Sequence, residues 1–172
     1  MISSKKEPLR KKTVIRKKAV IEIIPAKASD ADFICQLSGE LFRIYGHYEN
    51  TIRSWFDSET TVTLIARIER RPVGFAMIGC LPGNWNPGHF FELLAIGIEP
   101  ERQRMGIGEM LIREIDRNAD QMNIKRLFLH TATENLSAQK LFFINGYRIQ
   151  GIKEKFYPSG QDAIMMSKEV KK

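Results

Sequence analysis

The chain has 172 residues, enough for one domain with a sizeable core, and its 43% hydrophobic and 27% charged residues are ordinary for a globular protein. No apolar run approaches the roughly 18–20 residues that span a bilayer, and no uninterrupted apolar stretch follows the first basic residues; no membrane segment or signal peptide is expected, and the expected location is cytoplasmic. The formal charge of +7 suggests a polyanionic partner until it is located: residues 1–20 hold eight of the 27 basic groups and one of the 20 acids, which leaves 19 of each sign in the remainder. The expected organisation is therefore a basic, flexible arm at 1–19 and a single, electrically balanced domain at 20–172. Such an arm suits contact with RNA, a ribosome or an acidic protein, but it has no aromatic residues for base stacking, so a merely solvated tail is the plainer expectation.

In chain order, Val20–Ile24 ending at Pro25 predicts a first strand. Ser29 and Asp30 are candidate caps for a helix carrying Ile34, Leu37, Leu41 and Ile44 at three- and four-residue steps and ending near Gly46. Ile52, Trp55 and Phe56 suggest a second short helix. Thr61–Ile68 and Val73–Leu81 predict a hairpin turned by Glu69-Arg70-Arg71-Pro72, and Phe90–Ile98 predicts a third strand of that run, stopped by Pro100. Ile107, Met110, Leu111, Ile115, Ala119 and Met122 mark one face of a long helix. Leu127–Thr131 predicts a short strand, Leu136–Ile144 a helix ended by Asn145-Gly146, and Arg148–Lys155 with Asp162–Met166 a closing strand pair. The fold class expected is mixed α/β, with a mostly antiparallel central sheet of about six or seven strands and helices on both faces. Cys35 and Cys80 are read as small core or near-core residues, and His47, His89 and His130 lack metal-ligand spacing, so no metal is expected.

Gln103-Arg104-Met105-Gly106-Ile107-Gly108 lies between a strand and the long helix. Glycines there allow a tight turn and a close backbone approach, and the unpaired N–H groups at a helix start attract phosphate. A simple tight turn accounts for the segment equally well. It has neither the three-glycine spacing of a dinucleotide site nor the Lys-Ser/Thr ending of a nucleotide phosphate loop.

In its setting, however, after a strand that ends near Pro100, this segment resembles the acetyl-CoA signature of the GNAT superfamily of N-acetyltransferases. Asn135-Leu136-Ser137-Ala138, Leu141-Phe142 and Gly146-Tyr147 resemble a second block of that superfamily, in the right order and spacing. The resemblance implies an N-acetyltransferase with acetyl-CoA as cofactor and coenzyme A as product. It implies that the backbone of Gln103, Arg104, Met105, Gly106, Ile107 and Gly108 holds the pyrophosphate. It implies also that Ala95, Ile96, Gly97 and Ile98 pair with the pantetheine arm, a main-chain N–H there polarising the thioester, and that Asn135 and the Ala138 and Phe142 positions complete the cofactor site. Asn135 suits a helix N-cap as well.

Acetyl transfer needs a neutral amine, and amines are protonated at neutral pH, so a base must help. Glu92, a carboxylate inside an apolar strand and eleven residues before Gln103, is the first candidate; a strand-end glutamate reaching solvent is the alternative. His130 is the second: in the branch that acetylates the N-terminal alanine of a ribosomal protein, the resemblance implies a glutamate base on this strand. Phe142 stands where many members of the superfamily carry a tyrosine that protonates the departing thiolate, and Phe142 has no proton to give. Tyr157, a water, or no acid at all would then serve. Phe156-Tyr157-Pro158 resembles the tyrosine-proline hairpin of the same branch, which holds the acceptor's first residues. A protein or peptide N-terminal amine is therefore the leading acceptor. A small-molecule amine, a lysine side chain, or a non-catalytic acyl-CoA sensor are the alternatives, and either a monomer or a homodimer is compatible with the sequence.

Overall fold

The computed structural model describes residues 20–58, 60–80 and 90–170. The basic arm expected at 1–19 and residues 81–89, which include the end of the strand expected at Val73–Leu81 and His89, lie outside the described residues.

The elements follow the expected order: β1 (Ile21–Pro25), α1 (Ala31–Phe42), α2 (Glu49–Phe56), β2 (Thr61–Ile68), β3 (Arg71–Gly79), β4 (Phe90–Ile98), α3 (Ile107–Gln121), β5 (Arg126–Ala132), α4 (Leu136–Ile144), β6 (Arg148–Lys153) and β7 (Ala163–Glu169). They build a seven-stranded sheet in the order β1-β2-β3-β4-β5-β7-β6. All neighbouring strands are antiparallel except β4 and β5. One face packs on α3 and α4 through Ile107, Leu111, Ile112, Ile115 and Phe142. The other packs on α1 and α2 through Ile34, Leu37 and Ile52 against Ile65, Phe75 and Met77. Burial of these apolar stripes, each on one face of an amphipathic element, is the main source of stability.

Three local features differ from expectation. The hairpin turn is only Glu69-Arg70, both at positive φ (51° and 67°), and Pro72 already belongs to β3, beside a register shift at Ala66/Arg67. Helix α1 stops at Phe42, because Tyr45 and Gly46 both donate to the Phe42 carbonyl and the chain leaves through Gly46. Asp30 precedes α1 but does not cap it. Its buried carboxylate accepts from the Lys27 N–H (2.9 Å) and from Arg67 of β2 (2.7 Å), which ties the helix entry to the sheet.

Two departures from regular pairing position the site. Met77 pairs with Ala95 and Ile78 with Leu93, so Leu94 is an extra residue, a bulge in β4. β4 pairs with β5 only over Phe90–Leu93 and Arg126–Leu129. Beyond Leu93 the two strands part, and the β5 side of Leu94–Ile98 is left without a strand partner.

Candidate active site

Alternation along a strand decides which side chains meet at this split. Phe91 and Leu93 face α3, so Glu92 faces the opposite side; Leu127 and Leu129 do the same on β5, so His130 follows Glu92. The two meet as a pair: His130 Nδ1 lies 2.5 Å from Glu92 Oε1, with the side chains 10% and 20% exposed. An ionised carboxylate can only accept, so the shared proton belongs to Nδ1, and the lone pair of the neutral ring is on Nε2. Among the described residues Nε2 is buried without a hydrogen-bond partner. Phe156 stacks on the imidazole at 4.4 Å and 16°, which fixes the ring plane.

His130 lines a chamber of about 110 Å³ on the α1–α2 side of the split. Aromatic rings dominate its wall: Phe42, Tyr45, Tyr48, Trp55, Phe142 and Tyr157. Tyr157 packs on Tyr45 at 4.9 Å and edge-on to Tyr48 at 6.4 Å. Burial, with the neighbouring Tyr48, Tyr45, Glu92 and Glu134, pushes the Tyr157 phenol well above its ordinary value; burial alone raises Tyr48. Both are therefore neutral hydrogen-bonding groups at any physiological pH.

A clasp joins the two loops that supply Tyr45 and Tyr157 to the chamber wall. Ser159 N–H donates to the Tyr45 carbonyl (3.2 Å) and Gln161 Nε2 to the Ile44 carbonyl (2.7 Å). A Cβ on Gly46 would lie 3.0 Å from Pro158 Cγ, so the loop after α1 and the loop between β6 and β7 are in direct contact.

A second, larger cleft of about 490 Å³ opens from the chamber between β4 and α4 toward the start of α3. Ile96, Gly97, Ile98, Gln103, Arg104, Gly106, Ile107, Gly108, Asn135 and Ala138, all expected at a cofactor site, lie along its wall. Ala95 and Phe142 line the chamber instead, and Met105 lies along neither wall, being 43% exposed. Gln103 donates to the Ile98 carbonyl (3.2 Å) and ties the turn to the end of β4. The first bond of α3 runs from Met110 N–H to the Gly106 carbonyl, so the N–H groups of Ile107, Gly108 and Glu109 precede the helical ladder. Gly106 holds φ +81°, and a Cβ there would meet nothing within 4 Å; it faces open cleft. Gly108 serves packing: a Cβ would lie 2.9 Å from Leu141 Cδ2. Asn135 caps α4 by accepting from Ala138 N–H (3.1 Å).

These donors suit an elongated ligand with an anionic end. A free strand edge pairs with an extended amide chain, and a helix start with flanking arginine accepts phosphate. Coenzyme A has both parts, so the residues present fit the group that the resemblance implies.

The sequence reading missed Tyr45, Tyr48 and Trp55. Tyr45-Gly46-His47-Tyr48 is the available signal, since paired aromatics in a glycine-containing connection lie outside the periodic face of a helix.

A seven-stranded sheet split between its parallel strands, with a helix start lining the cleft beside the split, agrees with the coenzyme A-using acyltransferase class that the sequence resemblance implies. The chain belongs to the acetyltransferase (GNAT) family, whose model matches residues 31–147, and it is an N-acetyltransferase. An uncharacterized N-acetyltransferase of Methanocaldococcus jannaschii is 24% identical over 143 residues, 83% of this chain and 87% of that protein. The ribosomal protein bS18 alanine N-acetyltransferase of Salmonella typhimurium is 30% identical over 78 residues, 44% of this chain and 53% of that enzyme. A GNAT acetyltransferase structure from Elizabethkingia anophelis, with acetyl-CoA bound, shares the fold with a TM-score of 0.69 at 19% identity, over 87% of this chain and 98% of that one. Among the described residues no helix is long and apolar enough to cross a membrane, and no three metal-ligating side chains gather.

Proposed function

We propose that the chain transfers the acetyl group of acetyl-CoA to the free α-amine of a protein or peptide N-terminus, by direct attack of the amine with the Glu92–His130 pair as base. Bound acetyl-CoA supplies an acetyl group activated as a thioester. The helix-start N–H groups at Ile107–Glu109, with Arg104 beside them, hold its pyrophosphate, and the edge of Ala95–Ile98 aligns the pantetheine arm. A main-chain N–H at the Leu94 bulge donates to the thioester oxygen, where negative charge develops. Glu92 keeps the Nδ1 proton in place, and His130 Nε2 takes the proton from the amine. Tyr48 and Tyr157 orient the acceptor's first residue.

The observation that carries the acceptor assignment is the clasp. The chamber is small and aromatic, and the two joined loops each set a tyrosine, Tyr45 and Tyr157, in its wall, which suits a narrow chain end better than a branched surface segment. Similarity to the bS18 alanine enzyme supports the same reading.

The test is acetyl-CoA-dependent thiol release with short peptides carrying free alanine or serine N-termini, beside a panel of polyamines and aminoglycosides. Release with the peptides, abolished when their N-termini are blocked, is expected. Release with small amines alone would replace the peptide reading by a metabolite one, and acetyl-CoA binding without release would leave a sensor. Gly46→Ala, which crowds Pro158 and loosens the clasp, should raise the acceptor KM roughly five- to tenfold while the acetyl-CoA Kd stays within about twofold, since acceptor placement depends on small displacements.

A further inference from the structure

Position 142 leaves a gap in the chemistry. Phe142 is buried, sits edge-to-face on Tyr147 at 5.7 Å, and carries no proton. Tyr147 lies behind it with a buried hydroxyl and lines neither the chamber nor the cleft.

The two cavities locate where an acid is needed. With the coenzyme in the cleft and the acetyl group facing the amine in the chamber, the thioester sulfur sits where the cavities meet. Five residues line both: Phe42, Tyr45, Ile96, Asn135 and Ala138. Tyr45 alone among these can give up a proton. Tyr48 and Tyr157 line the chamber only, on the acceptor side.

Resting on the acetyltransferase reading, we propose that Tyr45 is the catalytic acid, donating its hydroxyl proton to the departing coenzyme A sulfur in place of the hydroxyl missing at position 142.

The surroundings of Tyr45 hold it for this task. Its N–H donates to the Phe42 carbonyl (2.8 Å), its own carbonyl accepts from Ser159, and its ring leans on Tyr157. Asn135, which lines both cavities with it, is its neighbour there. Burial and the nearby Glu134 raise the phenol, against a lowering by Asn135, so it arrives protonated at every turnover.

The step balances. The amine nitrogen bonds the acetyl carbon and loses a proton to His130 Nε2. The C–S bond breaks with its electron pair on sulfur, and Tyr45 O–H passes its proton to that sulfur, giving the free thiol. The phenolate recovers a proton from the imidazolium through water in the chamber, which both residues line. No oxidant or reductant enters.

The experiment compares four full-length chains: wild type, Tyr45→Phe, Phe142→Tyr and the double variant. The readouts are thiol release from acetyl-CoA with a free-alanine peptide, or with whichever amine of the panel is turned over, and the acetyl-CoA Kd. Tyr45→Phe should lower kcat about 10- to 100-fold, the low end for acid–base groups because a thiolate leaves tolerably well unaided. Its acetyl-CoA Kd should stay within about twofold. Phe142→Tyr should raise kcat about tenfold in the Tyr45→Phe background and by a clearly smaller factor in the wild type, the signature of two groups serving one function. A Tyr45→Phe kcat equal to wild type overturns the assignment, as does a loss matched by lost acetyl-CoA affinity, or a Phe142→Tyr effect equal in both backgrounds. A wild type that releases no thiol with any amine overturns the acetyltransferase reading itself.

Discussion

His130→Gln is expected to lower kcat/KM by about 100- to 1,000-fold at pH 7, within the range for a lost general base. Glutamine keeps roughly the reach of histidine and can still bond Glu92, so thermal stability should change little; what disappears is the basic nitrogen. Glu92→Gln should cost a comparable factor by a different route. An amide can donate to Nδ1, and that would move the ring proton to Nε2, where it blocks proton acceptance. Because the 2.5 Å pair acts as one unit, the double variant should be no worse than the worse single one. The pH profile carries the mechanistic content. A free α-amine has a pKa of about 8, so the acceptor sheds its own proton as pH rises and needs the base less. The deficit of both variants should therefore shrink between pH 7 and pH 9. A deficit constant across that range would reduce the pair to a structural contact. A dead Glu92→Gln beside a fully active His130→Gln would make the carboxylate the direct base.

Much of this arrangement could be read from the sequence, for identifiable physical reasons. Element order followed from period: alternating or continuous apolar runs for β2, β3 and β4, and three- and four-residue steps for α1 and α3. Gln103–Gly108 could be placed because glycine spacing and a following amphipathic helix are local signals. The relation of Glu92 to His130 could not, since it depends on β4 and β5 being adjacent, parallel and in a register that no local pattern encodes. The same limit made the two residues rivals in sequence and partners in space. The Leu94 bulge was hidden because its neighbours are all apolar, so the change of face leaves no trace in hydropathy. Tyr45 and Tyr48 carry no local signal because they lie beyond the regular part of α1, and the place of Tyr45 beside Tyr157 in the chamber wall depends on contact with the β6–β7 loop. Phe156 and Tyr157 were read as one aromatic pair, yet the chain turns between them: Phe156 backs the imidazole and Tyr157 enters the chamber.

Gly106→Asp is expected to remove acetyl-CoA binding while leaving the fold intact. Gly108, the more obvious target in the sequence, is the wrong place for this test, because a side chain there runs into Leu141 at 2.9 Å and the damage would be to the packing of α3 on α4. At Gly106 a side chain meets no protein atom within 4 Å and projects into the cleft. The residue sits at φ +81°, a conformation that aspartate and asparagine tolerate better than other side chains. It is also the N-cap of α3, where aspartate favours the helix dipole, so the residual strain is largely offset and the free protein should melt within about 2 °C of wild type. The same carboxylate accepts from the N–H groups that the pyrophosphate needs and repels its charge. Acetyl-CoA affinity should fall at least 100-fold, about 2.7 kcal/mol, and the thermal stabilisation by acetyl-CoA should vanish at concentrations that saturate the wild type. Gly106→Asn supplies the same shape without the charge and should lose roughly tenfold less affinity. If the two variants lose equally, the contribution of Gly106 is space and not anion recognition; if Gly106→Asp binds like wild type, the phosphates do not lie at the start of α3, and the positively charged end of the cleft must be sought elsewhere along α4.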